Sequence, residues 1–141
     1  MTDNTARREL IVKVWDAAWD RGEVDAFDTL LGPHYQRHGT HGPAQDRETF
    51  KASILSTRAA FPDLKTTIDD IILEDDRAAI RWHSAGTHTG AFLGIPTTGK
   101  RVQVSGATFA RFDGDGIVDE FVTWDPRALL SALGIITVGQ D

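Results

Sequence analysis

The thirty residues from Ser105 to Gly134, SGATFARFDGDGIVDEFVTWDPRALLSALG, constrain the fold more than any other stretch of this chain. Thr108, Ala110 and Phe112 alternate with Ala107, Phe109 and Arg111, the period of two that a strand imposes. Asp113-Gly114-Asp115-Gly116 follows, with glycines to supply the positive backbone angles of a tight hairpin, and Ile117 to Trp124 resumes an extended pattern. At Asp125-Pro126 the pattern changes again. Aspartate is a good N-cap and proline suits the first turn of a helix, so a helix is predicted from here, with Leu129, Leu130 and Leu133 as its apolar stripe and Gly134 as its end. Strand alternation predicts Ile117, Asp119, Phe121, Thr123 and Asp125 on one face, which makes Asp125 a candidate for a partly buried carboxylate.

The rest of the chain supplies helices to lay against that hairpin. Arg7 to Arg21 carries Leu10, Ile11, Val14, Trp15, Ala17, Ala18 and Trp19 at amphipathic helix spacing, with Trp15 and Trp19 four apart on one face. A short helix is predicted over Val24 to Leu31, ended by Gly32-Pro33. His34 to His41 is a compact polar stretch in which a strand would put His34, Gln36 and His38 on one face. The His38-x-x-His41 spacing lacks a nearby carboxylate, so no metal site is assigned. Asp46 is placed as the cap of a third helix that runs to Phe61-Pro62-Asp63. From Leu64 the period is two: Thr66, Ile68 and Ile72 alternate with Thr67, Asp69 and Ile71, and across the acidic turn Glu74-Asp75-Asp76, Ile80 and Trp82 oppose Arg81 and His83. Gly86 to Lys100 reads as a bulged, glycine-rich connection at a pocket mouth. There His88 either points in as part of a gate or simply bonds backbone, and Phe92, Leu93 and Ile95 are expected to pack onto a pocket or a partner subunit.

With 141 residues the chain is expected to be a single domain over 1–141, burying about two-thirds of its unfolded surface. A net charge of -6 without any Lys/Arg run argues against nucleic acid and against anionic membranes as partners. The absence of cysteine excludes disulfides, thiolate metal sites and cysteine nucleophiles. No apolar signal core or membrane-length apolar run is found, and the expected location is the cytoplasm.

Arg111-Phe112, Ile117-Val118, Asp125 and Leu129-Leu130-Ser131-Ala132-Leu133-Gly134 together resemble the C-terminal signature of the SnoaL-like polyketide cyclases, in the wider nuclear transport factor 2-like superfamily. Phe61-Pro62-Asp63 and the Gly86–Lys100 segment resemble the same family. The resemblance implies an α+β fold, a cone-shaped curved antiparallel sheet wrapped around N-terminal helices. It implies that Asp125 holds the position of the catalytic acid/base, that Trp19 and Ser53 face the substrate, and that His38 lines the pocket. It also implies a homodimer paired through outer sheet faces, for which Ile80, Trp82, Val104 and Trp124 offer apolar surface. Cyclases of the anthracycline type carry a histidine where this chain has Arg111, which holds its proton near neutrality and suits enolate stabilisation or a structural ion pair with Asp113.

A carboxylate in an apolar cavity has a raised pKa and can both remove a proton between carbonyls and return one to a new alkoxide. The expected function is therefore cofactor-free acid/base catalysis on a small hydrophobic carbonyl compound, such as an aromatic polyketide, by intramolecular aldol closure or isomerisation. Asp125, Arg111, His38 and His88 are the catalytic candidates. Trp15, Trp19, Tyr35, Ser53, Phe109 and Phe121 are the substrate-binding candidates. Two alternatives stand beside it: a hydrolase or dehydratase of the epoxide-hydrolase kind, with Asp125, Arg81 and Asp69 as its charged group, and a non-catalytic small-molecule binding module.

Overall fold

The computed structural model describes residues 4–40, 42–91 and 94–135. Helix α1 (Asn4–Trp15) runs without a break into a π-helical turn, Asp16–Asp20, and a 3₁₀ segment, Val24–Thr29, follows. Strand β1 (Leu31–His38) takes in Gly32 and Pro33, which the sequence pattern placed as the stop of a helix. After β2 (Gln45–Asp46) comes α2 (Arg47–Ala60), whose cap Asp46 accepts a hydrogen bond from the Thr49 backbone N–H at 2.8 Å. The rest is two long hairpins and a closing helix: β3 (Lys65–Glu74), β4 (Arg77–Thr87), β5 (Arg101–Asp113), β6 (Gly116–Trp124) and α3 (Pro126–Ala132).

The six strands form one curved, unclosed sheet in the order β2-β1-β6-β5-β4-β3, antiparallel except where β1 runs parallel to β6. Its concave side takes the helices. Ile11, Val14 and Trp15 of α1 and Phe50 and Ile54 of α2 pack there against Tyr35, Ile80, Trp82, Ala110, Phe112, Ile117 and Val122 of the strands. A smaller cluster of Phe61, Leu64, Val102, Leu129 and Leu133 seats α3 at the open end.

Two bulges change which residues face inward. The register of β5 on β6 shifts between Arg111 and Phe112, so Ile117 points in but so do Glu120, Val122 and Trp124. The predicted face of Ile117, Asp119, Phe121, Thr123 and Asp125 is therefore broken: beyond the bulge Asp119, Phe121 and Thr123 lie on the convex side, and Asp125 falls past the end of the strand. In β3 a second shift between Ile68 and Asp70 exposes Ile72 and buries Ile71. Buried Arg7 ties both hairpin tips to α1, donating to Asp75 O at 2.9 Å and Gly114 O at 2.7 Å and pairing with Asp76 at 3.2 Å.

Candidate functional site

Between the helices and the concave face lies a cavity of about 170 Å³. α1 and its π turn supply Trp15 and Trp19. A π turn adds a residue to the helical circuit and is often found at functional sites, and here it carries Trp19 onto the cavity beside Phe50. The sheet supplies Trp82 and Trp124. These two sit in one row across three strands, with Gly106 paired between them. A Cβ at Gly106 would overlap the Trp82 ring and stand 2.7 Å from Thr123 O, so the glycine is what lets the indole lie flat across β5. Phe61, Leu64, Val102, Val104 and Leu129 complete the apolar wall.

Polar groups in the lining are few. Thr57 donates its hydroxyl to Ser53 O at 2.9 Å, and the hydroxyls of Thr66 and Ser84 bond each other at 2.8 Å. The one charged lining residue among those described is Arg37, its guanidinium 4.2 Å from the centre of the Phe50 ring. Behind it, Glu120 is 2% exposed, and its Oε1 accepts from the Tyr35 hydroxyl and from Arg37 Nη1, the latter at 3.4 Å. Its second oxygen, Oε2, makes no hydrogen bond among the described residues. Burial pushes the Glu120 carboxyl above its ordinary value, more than Arg37 and Tyr35 pull it down. Burial, reinforced by the adjacent glutamate, likewise pushes the Tyr35 phenol up. The cavity thus joins an aromatic slot to a fixed cation backed by a carboxyl that holds its proton to higher pH than usual.

The family model for the SnoaL-like polyketide cyclase matches residues 9–133. The chain belongs to that family. No curated protein sequence matches it. Among solved structures it resembles TsrD from Streptomyces laurentii (25% identity, 96% of this chain and 100% of the other, TM-score 0.86). It also resembles the proposed hydroxylase AclR from Streptomyces galilaeus (26%, 94% and 87%, TM-score 0.83) and the proposed polyketide cyclase IdmH from Streptomyces antibioticus (27%, 91% and 98%, TM-score 0.78).

Within this SnoaL-like fold the candidate residues separate. Trp15 and Trp19 line the cavity, and Tyr35 is buried beside it. Ser53 lies outside the lining and turns its hydroxyl back to Phe50 O at 2.7 Å. Phe109 and Phe121, expected as aromatic walls, are 55% and 54% exposed on the convex side, because Thr108, Ala110 and Phe112 of β5 face inward and the bulge reverses β6. Arg111 is on that side too, and its partner is Asp119, at 2.6 Å, rather than Asp113. His38 stacks on Phe121 with ring centres 4.6 Å apart and pairs with Asp119 at 3.3 Å. Arg111, more than His38, holds the Asp119 carboxyl below its ordinary range. Asp69 pairs with His83 at 2.9 Å and lies 3.8 Å from Arg81, also on the convex side and without Asp125.

Asp125 is exposed. It accepts from the Arg127 backbone N–H at 2.9 Å as the N-cap of α3 and does not line the cavity. His88 is fully buried in the connection after β4, where Nδ1 accepts from the Thr98 backbone N–H at 3.2 Å and the ring lies against Phe61. Ile80, Trp82, Val104 and Trp124, taken as outer apolar surface for a homodimer, all face the concave side, where they pack against the helices or line the cavity. His41, Phe92 and Leu93 lie outside the described residues.

Sequence reasoning passed over Arg37, Glu120, Trp82 and Trp124 as site residues. A signal for Glu120 was present: Asp119 and Glu120 are adjacent on a strand, so one of the two must face the core. Among the described residues no helix is long and apolar enough to cross a membrane.

Proposed function

We propose that this SnoaL-like protein catalyses a cofactor-free acid/base rearrangement of a small hydrophobic carbonyl compound in the tryptophan-walled cavity. The reaction is an intramolecular aldol closure or an isomerisation. One observation supports this above others: a buried carboxyl with raised pKa, Glu120, stands beside the one charged group that the described residues bring to the cavity wall, Arg37. Glu120 stands behind Arg37, outside the cavity lining, and acts in its ionised form: reaching past the Arg37 side chain, its Oε2 takes a proton from the carbon between two carbonyls, and the enolate oxygen that forms is held by Arg37. The enolate carbon then attacks a second carbonyl of the same molecule. The alkoxide takes the proton back from Glu120, so substrate and product have the same atoms. Indole faces hold the flat substrate, and the similarity to the proposed polyketide cyclase IdmH favours an aromatic polyketide as its class.

Turnover of a panel of polyketide-like aromatic ketones by wild type and by Glu120→Gln, with binding measured separately, tests the reading. The expected result is conversion by wild type and retained binding with lost turnover in the variant. A panel member converted equally by both proteins contradicts it.

A further inference from the structure

Arg58 of α2 is a half-buried cation that spends its hydrogen bonds on backbone. Its Nη1 donates to Trp19 O at 2.6 Å and, more weakly, to Leu64 O at 3.5 Å, and it forms no ion pair among the described residues. Both carbonyls belong to residues of the cavity wall, one in the π turn and one just before β3, while Arg58 itself stands outside the lining. The last carbonyls of a helix lack intrahelical partners, and here the N–H groups that follow turn back to earlier residues, Gly22 to Ala18 O at 3.1 Å and Glu23 to Ala17 O at 2.9 Å. Trp19 O is thus left to a side chain, and a guanidinium supplies the short, charge-assisted kind of hydrogen bond. Gly22 leaves room for it: a Cβ there would stand 3.1 Å from Arg58 Nε, on backbone already at φ +74°. One residue past Trp19, Asp20 Oδ1 accepts from the Thr66 backbone N–H at 2.7 Å, so the turn is fastened to the start of β3 at two successive residues.

We propose that Arg58 is a positioning residue: by holding the Trp19 and Leu64 carbonyls on one nitrogen it fixes the Trp19 indole in the cavity wall and so sets the affinity for a flat aromatic ligand. This assignment rests on the cavity being the reaction site and adds the device that keeps one of its aromatic walls in place. Such a wall must be held closely, because a gap of about 0.5–1 Å already forfeits a quarter to a half of a dispersion contact. Arg58 takes no part in the proton transfer, so its effect is on binding.

The test measures binding of fluorenone, a flat aromatic ketone, to wild type, Arg58→Met and Arg58→Lys. The indole ¹H–¹⁵N spectrum of each ligand-free protein is recorded beside it, with Trp19→Phe to assign the Trp19 resonance. Methionine keeps an apolar stem without a donor, and lysine keeps a cationic donor. Arg58→Met is expected to bind fluorenone about 3- to 10-fold more weakly than wild type. Its Trp19 resonance is expected to move, while that of Trp82, which donates to Thr108 Oγ1 at 3.1 Å, stays in place. Because one nitrogen serves both carbonyls, Arg58→Lys is expected to restore the Trp19 resonance and to bind within about 2-fold of wild type. A residue serving stability alone would lower the denaturation midpoint and leave both readouts unchanged in the folded protein. Should Arg58→Met fold poorly, Arg58→Gln, whose shorter neutral side chain falls short of Trp19 O, takes its place with the same expectations. Wild-type affinity or an unmoved Trp19 resonance in the donor-less variant, or an Arg58→Lys protein that binds as weakly as it does, overturns the Arg58 assignment and leaves the Glu120 reading to its own turnover test. Failure of wild type to bind fluorenone overturns the cavity as a ligand site and both readings with it.

Discussion

The two faces of the one sheet are built from the same strands and carry opposite chemistry. On the concave face, Trp82, Trp124, Arg37 and Glu120 are held among helices, with few polar groups and no exposed ion pair between them. On the convex face, alternate residues of those strands give Arg111–Asp119–His38 and Arg81–Asp69–His83, each with part of its charge in solvent. Screening by water makes such exposed pairs worth little, about 0–1 kcal/mol. Burial makes the inner pair consequential, because a charge there has no water to answer it and its proton affinity moves. Chemistry that needs a shifted proton is therefore favoured inside, and the outer groups suit solubility and contact.

The comparison breaks most visibly in turnover. Glu120→Gln is expected to lower kcat by about 10²–10⁴-fold, whereas Asp119→Asn, its neighbour on the other face, is expected to stay within about 2-fold; steady-state kinetics on one converted ketone separates them. Equal losses would erase the distinction between faces. Next in size is packing. Trp82→Ala is expected to cost about 3–5 kcal/mol in chemical denaturation. Gly106→Ala, which crowds the same indole, is expected to cost about 1–3 kcal/mol, and Phe121→Ala on the convex side to change stability by about 0.5 kcal/mol or less.

The two faces also differ in the sign of their pH dependence. Glu120 is raised above its ordinary 4.5 by burial, so the folded state binds more protons; its favourable contribution is full below 4.5 and is lost as pH rises through the raised folded value. Asp119 is lowered from 3.8 chiefly by Arg111, so its contribution is present above 3.8 and is lost as pH falls through its depressed folded value. Denaturation at a series of pH values is expected to show Glu120→Gln removing the loss on the alkaline side and Asp119→Asn flattening the loss on the acid side. The smallest effect concerns association. Exposed Phe109 and Phe121 motivate the proposal that two chains pair through the convex face. Phe109→Ser with Phe121→Ser is expected to shift a dimer to monomer in sedimentation with folding intact, and a monomeric wild type removes the proposal.

Much of the fold could be read from the residues because its signals are local. The hairpin turn at Asp113–Gly116, the caps at Asp46 and Asp125, and the paired tryptophans of α1 and its π turn depend on near neighbours, and the structure places each of these where those signals put it. The site was less legible because it depends on facing, and facing on β6 turns on a single bulge. An alternation count from Ile117 carries Phe121 and Asp125 inward; the extra residue in the register carries Glu120, Val122 and Trp124 inward instead. Asp125 illustrates the same point. Its residue type and position before Pro126 announced a cap, and capping engages one of its oxygens with the Arg127 N–H while leaving it exposed. Arg37 escaped notice because its partners, Glu120 and Phe50, are distant in sequence and meet it only through the parallel β1–β6 pairing and the packing of α2.

The most direct test compares the two carboxylates on one substrate. Glu120→Gln and Asp125→Asn are assayed side by side for binding and for single-turnover conversion of the same aromatic ketone. Loss of conversion with retained binding in Glu120→Gln, together with near-wild-type conversion by Asp125→Asn, is the predicted result. Conversion that survives in Glu120→Gln and disappears in Asp125→Asn would contradict the account and assign the chemistry to Asp125 at the start of α3.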